Sequence, residues 1–402
     1  MFAIQNGREF KLSIAEILAI FPTIKIITVS KSVTIFDGVS IDEILEKSPN
    51  LGGSIKIMEI REILDKNSKI PEIILNYFEG KTGKIDYGIN TFPEKPELKK
   101  ILIDTKKILQ ANSISSRFVN KDFRNLSSVQ ITHEKLIKKE TDLNFIFDYE
   151  NLYFATSIFV QDIEGYGKRD FDKERSMQTG MLPPKLAQIM LNLAGGEVIY
   201  DPFVGLGTVL IEAILNGSKK VFGSDLSSEM VKVTSKNLED LKENFKYKII
   251  EQNSKYIQEI DFLNEVESIV TEGYLGEIMT QKNISSDRID TQKKKLRDLY
   301  IGFFSGLQKL QFKGNIVISF PFWEMNKKYF YFEEVYEIIN KYCEIQKLLP
   351  EKLEFGNQDK AKERINSVDE YYNFIEVTKA GSLLYKRDNQ LVGREIFKLQ
   401  IK

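Results

Sequence analysis

Acidic and glycine residues follow one predicted strand at a spacing that suits the binding of a nucleoside-containing ligand. The apolar run 198–200 predicts a buried strand that ends at Asp201. Gly205 and Gly207 then form a tight turn into a predicted helix. Glycines in such a turn let backbone N–H groups approach a ligand closely, and the helix N-terminus favours negative charge. In open α/β sheets ligands bind in this strand-to-helix crevice, so the turn predicts a binding site.

The next predicted strand, 221–224, ends in a second acidic residue, Asp225, eighteen residues after Gly207. An acidic residue at this strand end accepts hydrogen bonds from ribose hydroxyls. A complete G-x-G-x-x-G dinucleotide motif is absent, because Leu210 stands where its third glycine would be. Asp201 would repel a pyrophosphate but attract a cationic ligand. The pattern therefore favours S-adenosyl-L-methionine over a dinucleotide as the cofactor.

Several motifs resemble those of class I methyltransferases, namely D-P-F-V-G-L-G-T at 201–208, E-A-I-L-N-G at 212–217 and G-S-D-L at 223–226. With G-M-L-P-P-K-L-A at 180–187, they are most similar to the THUMP-associated tRNA guanine-N2 methyltransferases. The resemblance implies S-adenosyl-L-methionine as cofactor and tRNA as partner. It also implies a set of cofactor-binding residues: Asp201, Phe203, Gly205, Gly207, Thr208, Asp225, Leu226 and Asn253. At position 253 the family often has an acid that touches adenine N6, and an amide oxygen can accept the same hydrogen bond.

The end of the fourth predicted strand of this domain departs from the family pattern. Enzymes that methylate amines usually carry Asp/Asn-Pro-Pro-aromatic there, whereas this chain has Glu272-Gly273-Tyr274-Leu275. Glu272 is the predicted acceptor of hydrogen bonds from an exocyclic NH2 group, and Tyr274 is the predicted stacking platform for the base. A second interpretation is that the site binds the cofactor without transferring methyl, and a third is a loop with incidental polar residues.

The order of predicted elements divides the chain into modules. Residues 1–60 read βαββαβ, which is typical of a ferredoxin-like α+β module, and this module is placed at residues 1–80. Residues 81–165 correspond, through the resemblance, to a THUMP-like RNA-binding module, and 166–182 read as a linker. From 183 to 402, strands alternate with amphipathic helices, which predicts a Rossmann-like domain with a mostly parallel seven-stranded sheet. Ser13 and Glu16 have the spacing of a capping box at the start of the first helix.

Positive charge is concentrated in one part of an otherwise neutral chain. The 402 residues carry 57 basic and 58 acidic side chains, which excludes a uniformly polycationic nucleic-acid binder. Residues 81–140 nevertheless have thirteen basic residues against seven acidic ones. This excess is either an ordinary solvated helix face or a footprint for RNA phosphates. The second interpretation predicts RNA-binding side chains at Lys99, Lys100, Lys106, Lys107 and Arg117.

Composition excludes several other kinds of chemistry. A single His, His133, argues against His-based metal sites and Ser-His-Asp hydrolysis, so no metal is expected. A single Cys, Cys343, forbids an internal disulfide and is expected far from the site, which disfavours pyrimidine C5 methylation. Neither a membrane span nor a secretory signal is evident, so we expect a cytoplasmic protein.

Two segments near the predicted site have open interpretations. The aromatic run 320–323 is either plain core or a stacking wall for an unpaired base. The polar segment 282–295 reads as a mobile lid beside it.

The sequence thus favours an enzyme that methylates the N2 amine of a guanosine in tRNA by direct in-line transfer. Two alternatives stay open at this point. One is a DNA amino-methyltransferase, which gives no reason for the N-terminal modules. The other is a catalytically silent protein that binds S-adenosyl-L-methionine and RNA, which the altered loop after strand four would explain.

Overall fold

Two β-sheets organise the chain in its computed structural model, which describes residues 1–148, 150–171, 182–241, 243–350, 380–388 and 390–402. Within these ranges one sheet has eight strands and is built from the N-terminal part of the chain. The other has nine strands and is built from the C-terminal part. The side chains of 168–171 also lie outside the described set.

The first module has the predicted βαββαβ order. Its elements are β1 (Phe2–Asn6), α1 (Phe10–Ile20), β2 (Lys25–Val29), β3 (Val33–Asp37), α2 (Ile41–Lys47) and β4 (Ser54–Asp65). The strands lie in the order β2-β3-β1-β4 and every neighbouring pair is antiparallel. This arrangement is that of the ferredoxin-like fold.

The second module continues the same sheet. Its elements are α3 (Ile70–Phe78), β5 (Ile85–Phe92), α4 (Leu98–Ala111), β6 (Ser116–Phe118), α5 (Ser128–His133), α6 (Leu136–Lys139), β7 (Asp142–Phe147) and β8 (Asn151–Val160). Strand β8 pairs antiparallel with β4, so the full order is β2-β3-β1-β4-β8-β7-β5-β6. Helix α3 packs with β5 and α4 in one apolar cluster. The sheet therefore has no break at the predicted module boundary of 80/81.

A buried polar network lies where the two modules meet. Lys56 of β4 donates to Asp142 of β7 at 3.0 Å and to Asn144 at 2.6 Å. Asn90 of β5 donates to the other carboxylate oxygen of Asp142 at 2.8 Å. The side chains of Lys56 and Asp142 are 1% and 0% exposed. Burial lowers the pKa of Lys56, and the charge and hydrogen bond of Asp142 oppose this effect. The network thus connects the two modules through a charge pair that needs both partners.

The C-terminal part begins with α7 and contains the second sheet. Its elements are α7 (Ile163–Phe171), α8 (Pro184–Ala194), β9 (Val198–Asp201), α9 (Thr208–Leu215), β10 (Lys220–Asp225), α10 (Ser228–Glu239), β11 (Lys246–Glu251), β12 (Ser268–Thr271), α11 (Ser286–Lys309), β13 (Asn315–Met325), β14 (Lys328–Tyr331), α12 (Glu334–Tyr342), β15 (Cys343–Gln346), β16 (Leu383–Tyr385) and β17 (Val392–Ile401). The predicted linker 166–182 therefore overlaps helix α7, and its residues 172–181 lie outside the described residues.

Seven strands of this sheet follow the order β11-β10-β9-β12-β13-β17-β15. The first five are parallel to one another, and β17 runs antiparallel between β13 and β15. The short strands β14 and β16 add to β13 and β17. The mostly parallel seven-stranded sheet predicted from the sequence is present, with these two additions. Because parallel strands end at the same edge, β9, β10 and β12 bring their carboxyl ends together.

Helix α1 fixes the first module against the C-terminal part. Its apolar side chains share a core cluster with those of α8. Glu16 accepts hydrogen bonds from the backbone N–H groups of Gly52 at 2.9 Å and Gly53 at 2.8 Å, and from Asn192 of α8 at 2.7 Å. The predicted capping box was wrong, because α1 begins three residues before Ser13 and Glu16 is completely buried at this interface.

In the part of the chain that the structure describes, no helix is both long and apolar enough to cross a membrane. No group of three or more His, Cys, Asp or Glu side chains is placed to hold a metal ion within those same ranges.

The buried pair between Lys56 and Asp142 yields a stability prediction. Replacing Lys56 with Met should lower the free energy of unfolding by about 3–5 kcal/mol, because Asp142 would remain buried without its counter-charge. Urea denaturation followed by circular dichroism measures this loss. Lys69→Met is the control: Lys69 pairs with Glu72 at the surface, where both side chains are more than half exposed. Its cost should stay below about 1 kcal/mol. Equal effects of the two variants would contradict the prediction.

Candidate active site

Asp201 ends β9 at the carboxyl edge of the second sheet and is 2% exposed. Its carboxylate accepts a hydrogen bond from the backbone N–H of Phe203 at 3.0 Å. Burial raises the pKa of Asp201 to about 7; a hydrogen bond with the Thr271 hydroxyl opposes this, and the charges of Asp225 and Glu272 add to it. A buried carboxyl that is only partly ionised near neutral pH gains from a cationic ligand.

The glycine turn after β9 depends on glycine at two positions. Gly205 and Gly207 have φ values of +51° and +82°, a region that side chains with a Cβ atom rarely adopt. A Cβ atom at Gly207 would also lie 2.9 Å from the Thr234 methyl carbon. Thr234 itself donates to the Gly205 carbonyl at 2.6 Å, which fixes the turn against α10. The turn therefore presents backbone rather than side chains to the crevice.

Asp225 ends β10 and connects the turn to the neighbouring strand. One carboxylate oxygen accepts from the Gly205 N–H at 3.0 Å and the other from the Ser227 N–H at 2.9 Å. Each oxygen can accept a further hydrogen bond, so the carboxylate can still take ribose hydroxyls. The adjacent Leu226 is 69% exposed, an apolar side chain left open at the rim of the crevice.

The remaining predicted cofactor residues lie around the same turn. Asn253 follows β11, and its side-chain oxygen accepts from the Lys255 N–H at 3.0 Å, which leaves that oxygen one further lone pair. Phe203 is half-buried, with its ring centroid 6.0 Å from that of Phe303. Thr208 is the first residue of α9 and is buried. The structure thus brings the predicted residues to one crevice at the ends of β9, β10 and β11.

This crevice suits S-adenosyl-L-methionine. The buried, partly ionised Asp201 matches a positively charged amino acid portion, and the Asp225 carboxylate matches a ribose. The strained glycine backbone keeps the space above the turn free of Cβ atoms. Leu226 offers an apolar surface for an adenine ring.

The loop after β12 carries the predicted catalytic pair. Glu272 forms an ion pair with Arg394 of β17, whose side chain is 3% exposed. The Glu272 backbone carbonyl accepts a hydrogen bond from the Ser319 hydroxyl at 2.5 Å. Tyr274 is 46% exposed, and its carbonyl accepts from the Tyr300 hydroxyl at 3.1 Å. The loop therefore offers an oriented carboxylate and an open aromatic ring beside the cofactor crevice.

Thr271 links the two halves of the site. Its hydroxyl oxygen accepts from the Gly273 N–H at 3.2 Å, while the hydroxyl bonds to the Asp201 side chain. Burial raises the pKa of Glu272, and the charges of Arg394 and Arg387 oppose the rise. The acidic groups at the ends of β9 and β12 thus interact with each other.

Two interpretations of neighbouring segments were wrong. The aromatic run 320–323 lies within β13 and is buried, so it is core and does not form a stacking wall. The predicted lid 282–295 is largely helix, because the Ser285 hydroxyl accepts from the Arg288 N–H at 3.3 Å and α11 begins at Ser286. This polar segment faces solvent on one side and packs on the other, which explains its lack of a continuous apolar pattern.

Neither the single Cys nor the single His is placed for catalysis in the candidate site. Cys343 is the buried first residue of β15, and burial raises the pKa of its thiol to about 12. Such a thiol is a poor nucleophile. The side chain of His133 is 83% exposed at the end of α5.

The predicted RNA-binding side chains lie on the first sheet's helices and edge. Lys99, Lys100, Lys106 and Lys107 are exposed on α4, whose opposite face is buried. Arg117 on β6 differs from them, because it pairs with Asp86 at 2.9 Å and Glu134 at 3.1 Å. Its charge is therefore already balanced. The lysine face, defined as these four α4 lysines, has no ion-pair partner among the described residues.

Sequence reasoning missed Arg394, Ser319 and Tyr300, the residues that hold the loop after β12. Arg394 lies near the end of the chain, in a stretch for which the sequence predicted no chemical role. The available signal was an arginine within a stretch rich in apolar residues, because a charged side chain in a buried strand requires a partner.

Part of the chain is similar to known methyltransferases. Residues 172–321 match the model of UPF0020, the RMKL-like methyltransferase domain. A tRNA (guanine(10)-N2)-dimethyltransferase of Methanocaldococcus jannaschii is 28% identical over 250 residues, 58% of this chain and 68% of that protein. A protein of the same name from Pyrococcus abyssi is 31% identical over 169 residues, 41% of this chain and 46% of that protein.

A similar fold occurs in a solved structure. The crystal structure of TrmN from Thermus thermophilus has a TM-score of 0.51 with 13% sequence identity, over 100% of this chain and 99% of that one. At this identity the likeness concerns the fold. The predicted Rossmann-like methyltransferase fold and the cofactor S-adenosyl-L-methionine are confirmed.

The partly ionised Asp201 predicts that cofactor binding depends on pH. From about pH 5.5 to about pH 7 the affinity for S-adenosyl-L-methionine should rise roughly tenfold, because the carboxyl with a pKa of about 7 loses its proton and only the ionised form attracts the cationic ligand. Isothermal titration calorimetry measures this change. Asp201→Asn should bind weakly and without the rise, whereas the exposed Asp240→Asn should retain it. A flat profile for the unmodified protein would contradict the prediction.

The resemblance drawn from the sequence motifs is also confirmed. Residues 172–321 match the RMKL-like methyltransferase domain, and the chain is similar in sequence to two tRNA (guanine(10)-N2)-dimethyltransferases.

Proposed function

We propose that this protein is an S-adenosyl-L-methionine-dependent tRNA methyltransferase that modifies the exocyclic N2 amine of a guanosine. The observation that carries the proposal is that the loop after β12, next to the cofactor crevice, bears both a carboxylate held by Arg394, that of Glu272, and the exposed aromatic residue Tyr274. The two related archaeal proteins, named for methylation of guanine N2 in tRNA, support the substrate class. A cytoplasmic location accords with such a substrate.

Two side chains of the loop orient the amine. A carboxylate oxygen of Glu272 accepts a hydrogen bond from the NH2 group and so directs the nitrogen lone pair. The ring of Tyr274 stacks on the base. Bound S-adenosyl-L-methionine supplies an electrophilic methyl group. The carboxylate of Glu272 also stands ready to take the proton that the amine releases after transfer. No covalent nucleophile is required, in keeping with the buried Cys343.

The catalytically silent alternative rested on the missing prolines of the loop after β12. The structure supports the active interpretation, because hydrogen bonds from Ser319 and Tyr300 hold the loop backbone in place of the prolines. A DNA substrate is disfavoured by the two N-terminal modules, which share one sheet and add a basic helix that a DNA amino-methyltransferase does not need.

The lysine face of α4 is the proposed docking surface for the RNA backbone. Lys99 and Lys106 lie one heptad apart, as do Lys100 and Lys107, so the four side chains form two adjacent rows on the exposed side of one helix. Phosphate groups along an RNA strand would meet these rows without any base-specific contact. We place Arg117 at the margin of this surface, because its two carboxylate partners reduce its net charge.

Replacing Glu272 tests the catalytic role. Glu272→Ala should lower the rate of methyl transfer to unmodified tRNA by about 100-fold or more, since both hydrogen-bond acceptor and proton acceptor are removed. Affinity for S-adenosyl-L-methionine should stay within about twofold, because the cofactor residues are unchanged. Labelled-methyl incorporation followed by nucleoside mass analysis measures the product, with DNA as the competing substrate.

Glu277→Ala is the matched control, since Glu277 is a half-exposed carboxylate on the same loop that pairs with Lys295 at 2.7 Å. It should retain activity within about threefold, as expected for a surface ion pair. Cofactor and tRNA binding without any N2-methylguanosine from the unmodified protein would favour the silent alternative instead.

The lysine face gives a separate prediction on RNA affinity. Replacing Lys99, Lys100, Lys106 and Lys107 with Gln should weaken tRNA binding and reduce the slope of log affinity against log salt by roughly 0.7–0.9 for each phosphate that the variant no longer neutralises. Filter binding at several salt concentrations measures both. The control is Lys309→Gln with Lys313→Gln, two exposed lysines beside the amino edge of the second sheet. An unchanged slope in the fourfold variant would show that the positive excess is only surface charge.

A further inference from the structure

The loop after β12 lacks the two prolines of the Asp/Asn-Pro-Pro-aromatic pattern, and several neighbours fix its backbone. Gly273 has a φ of +71°, and a Cβ atom there would lie 2.6 Å from the Ser319 carbonyl oxygen and 2.7 Å from the Tyr300 hydroxyl. The loop backbone is therefore pressed against β13 and α11. Hydrogen bonds from those two elements hold the carbonyl groups of Glu272 and Tyr274. These contacts fix the loop backbone, but they do not orient the Glu272 side chain.

Arg394 is the neighbour that contacts this side chain. It lies in β17, opposite Pro321 of β13, and the residue is 2% exposed. Its Nε donates to one carboxylate oxygen of Glu272, and its Nη1 donates to Gln390 at 3.4 Å. Its guanidinium carbon lies 5.9 Å from the centroid of the Tyr385 ring. The guanidinium is thus held on three sides before any ligand binds.

A buried ion pair of this kind is a weak source of stability, because desolvation of both charges offsets their attraction. Its position suggests another role. The second carboxylate oxygen of Glu272 has no hydrogen-bond partner among the described residues, although the first is engaged by Arg394. The pair therefore leaves one oriented lone-pair acceptor at the edge where the ends of β9 and β12 meet.

We infer that Arg394 is a positioning residue: its guanidinium holds the Glu272 side chain in one orientation for the incoming amine, while Ser319 and Tyr300 fix the loop backbone. The positive charge of Arg394 also favours the ionised form of that carboxyl. This inference rests on the proposed amine methylation. It assigns to β17, a strand distant in sequence, control of the acceptor on the loop after β12.

The charges that face Glu272 decide its ionisation. From β17 comes Arg394, from the turn after β16 comes Arg387, and from the end of β9 comes the carboxyl of Asp201. The hydroxyl of Tyr300 on α11 lies against the same loop. Burial and the Asp201 carboxylate oppose ionisation of Glu272, whereas the two arginines favour it. Removal of Arg394 should therefore raise the pKa of Glu272.

The test combines kinetics with a direct titration. In Arg394→Met, the acid limb of the kcat profile for tRNA methylation should move to higher pH by about one unit or more, with the Kd for S-adenosyl-L-methionine unchanged within about twofold. In NMR spectra of protein with 13C-labelled glutamate, the Glu272 carboxyl resonance is the one that is absent from Glu272→Gln. In Arg394→Met, the midpoint of its pH titration should also move to higher pH. An unmoved limb and an unmoved resonance would overturn the inference.

A conservative variant covers the case in which Arg394→Met fails to fold. Arg394→Lys keeps the positive charge but loses the planar guanidinium, so kcat should fall about tenfold while KM for tRNA changes little. The acid limb should stay near its original pH. The same substitution in a Glu272→Gln background should cause no further decrease in kcat. A full additional decrease there would show that Arg394 acts on something other than Glu272.

Two comparisons separate this inference from the proposed function. If the unmodified protein methylates no nucleic acid, the proposed function fails, and the carboxyl resonance still reports whether Arg394 controls Glu272. Arg297→Met, which removes an exposed arginine of α11, is the charge-matched control and should move neither the limb nor the resonance. If Arg297→Met moves the acid limb and the carboxyl resonance as far as Arg394→Met does, the shift reflects the overall charge of the protein and the inference is wrong.

Discussion

The candidate site depends on hydrogen-bond donors and counter-charges that stabilise three carboxylates at one edge of a parallel sheet. Strands β9, β10 and β12 end side by side, and each delivers an acidic residue to the same place: Asp201, Asp225 and Glu272. Such groups repel one another and lose solvation, so each requires donors or counter-charges. Backbone N–H groups donate hydrogen bonds to Asp201 and Asp225, and an arginine forms an ion pair with Glu272. Much of the local architecture, including the glycine turn, supplies these partners.

The cofactor half of the site could be predicted because its determinants are local in sequence. Asp201, the two turn glycines and Asp225 lie within 25 consecutive residues, and each strand-to-helix step is marked by its own apolar pattern. The alternation of strands and helices likewise predicts the parallel sheet. Local patterns of this kind do not depend on distant contacts. The helices and strands around the turn therefore differ from the predicted ones only at their ends.

The proposed catalytic half of the site could be predicted only in part, because it depends on contacts between distant segments. Glu272 and Arg394 are separated by 122 positions, and no periodicity reports their pairing. Likewise, Ser13 and Glu16 fit a local capping motif, but the carboxylate of Glu16 instead joins α1 to the loop at 52–53 and to α8. The aromatic run 320–323 was ambiguous for the same reason, since strand length decides its burial and that strand extends to Met325.

The continuous N-terminal sheet has a mechanical consequence. Neighbouring strands are hydrogen-bonded from β2 to β6, and Glu16 of α1 accepts a hydrogen bond from Asn192 of α8 in the C-terminal part. Helix α4 packs on β5 of that sheet, so the lysine face is connected to the second sheet through the first sheet and the contact between α1 and α8. If the proposed lysine face binds the RNA backbone, this connection sets the distance between the bound strand and the nucleotide that can reach the loop after β12.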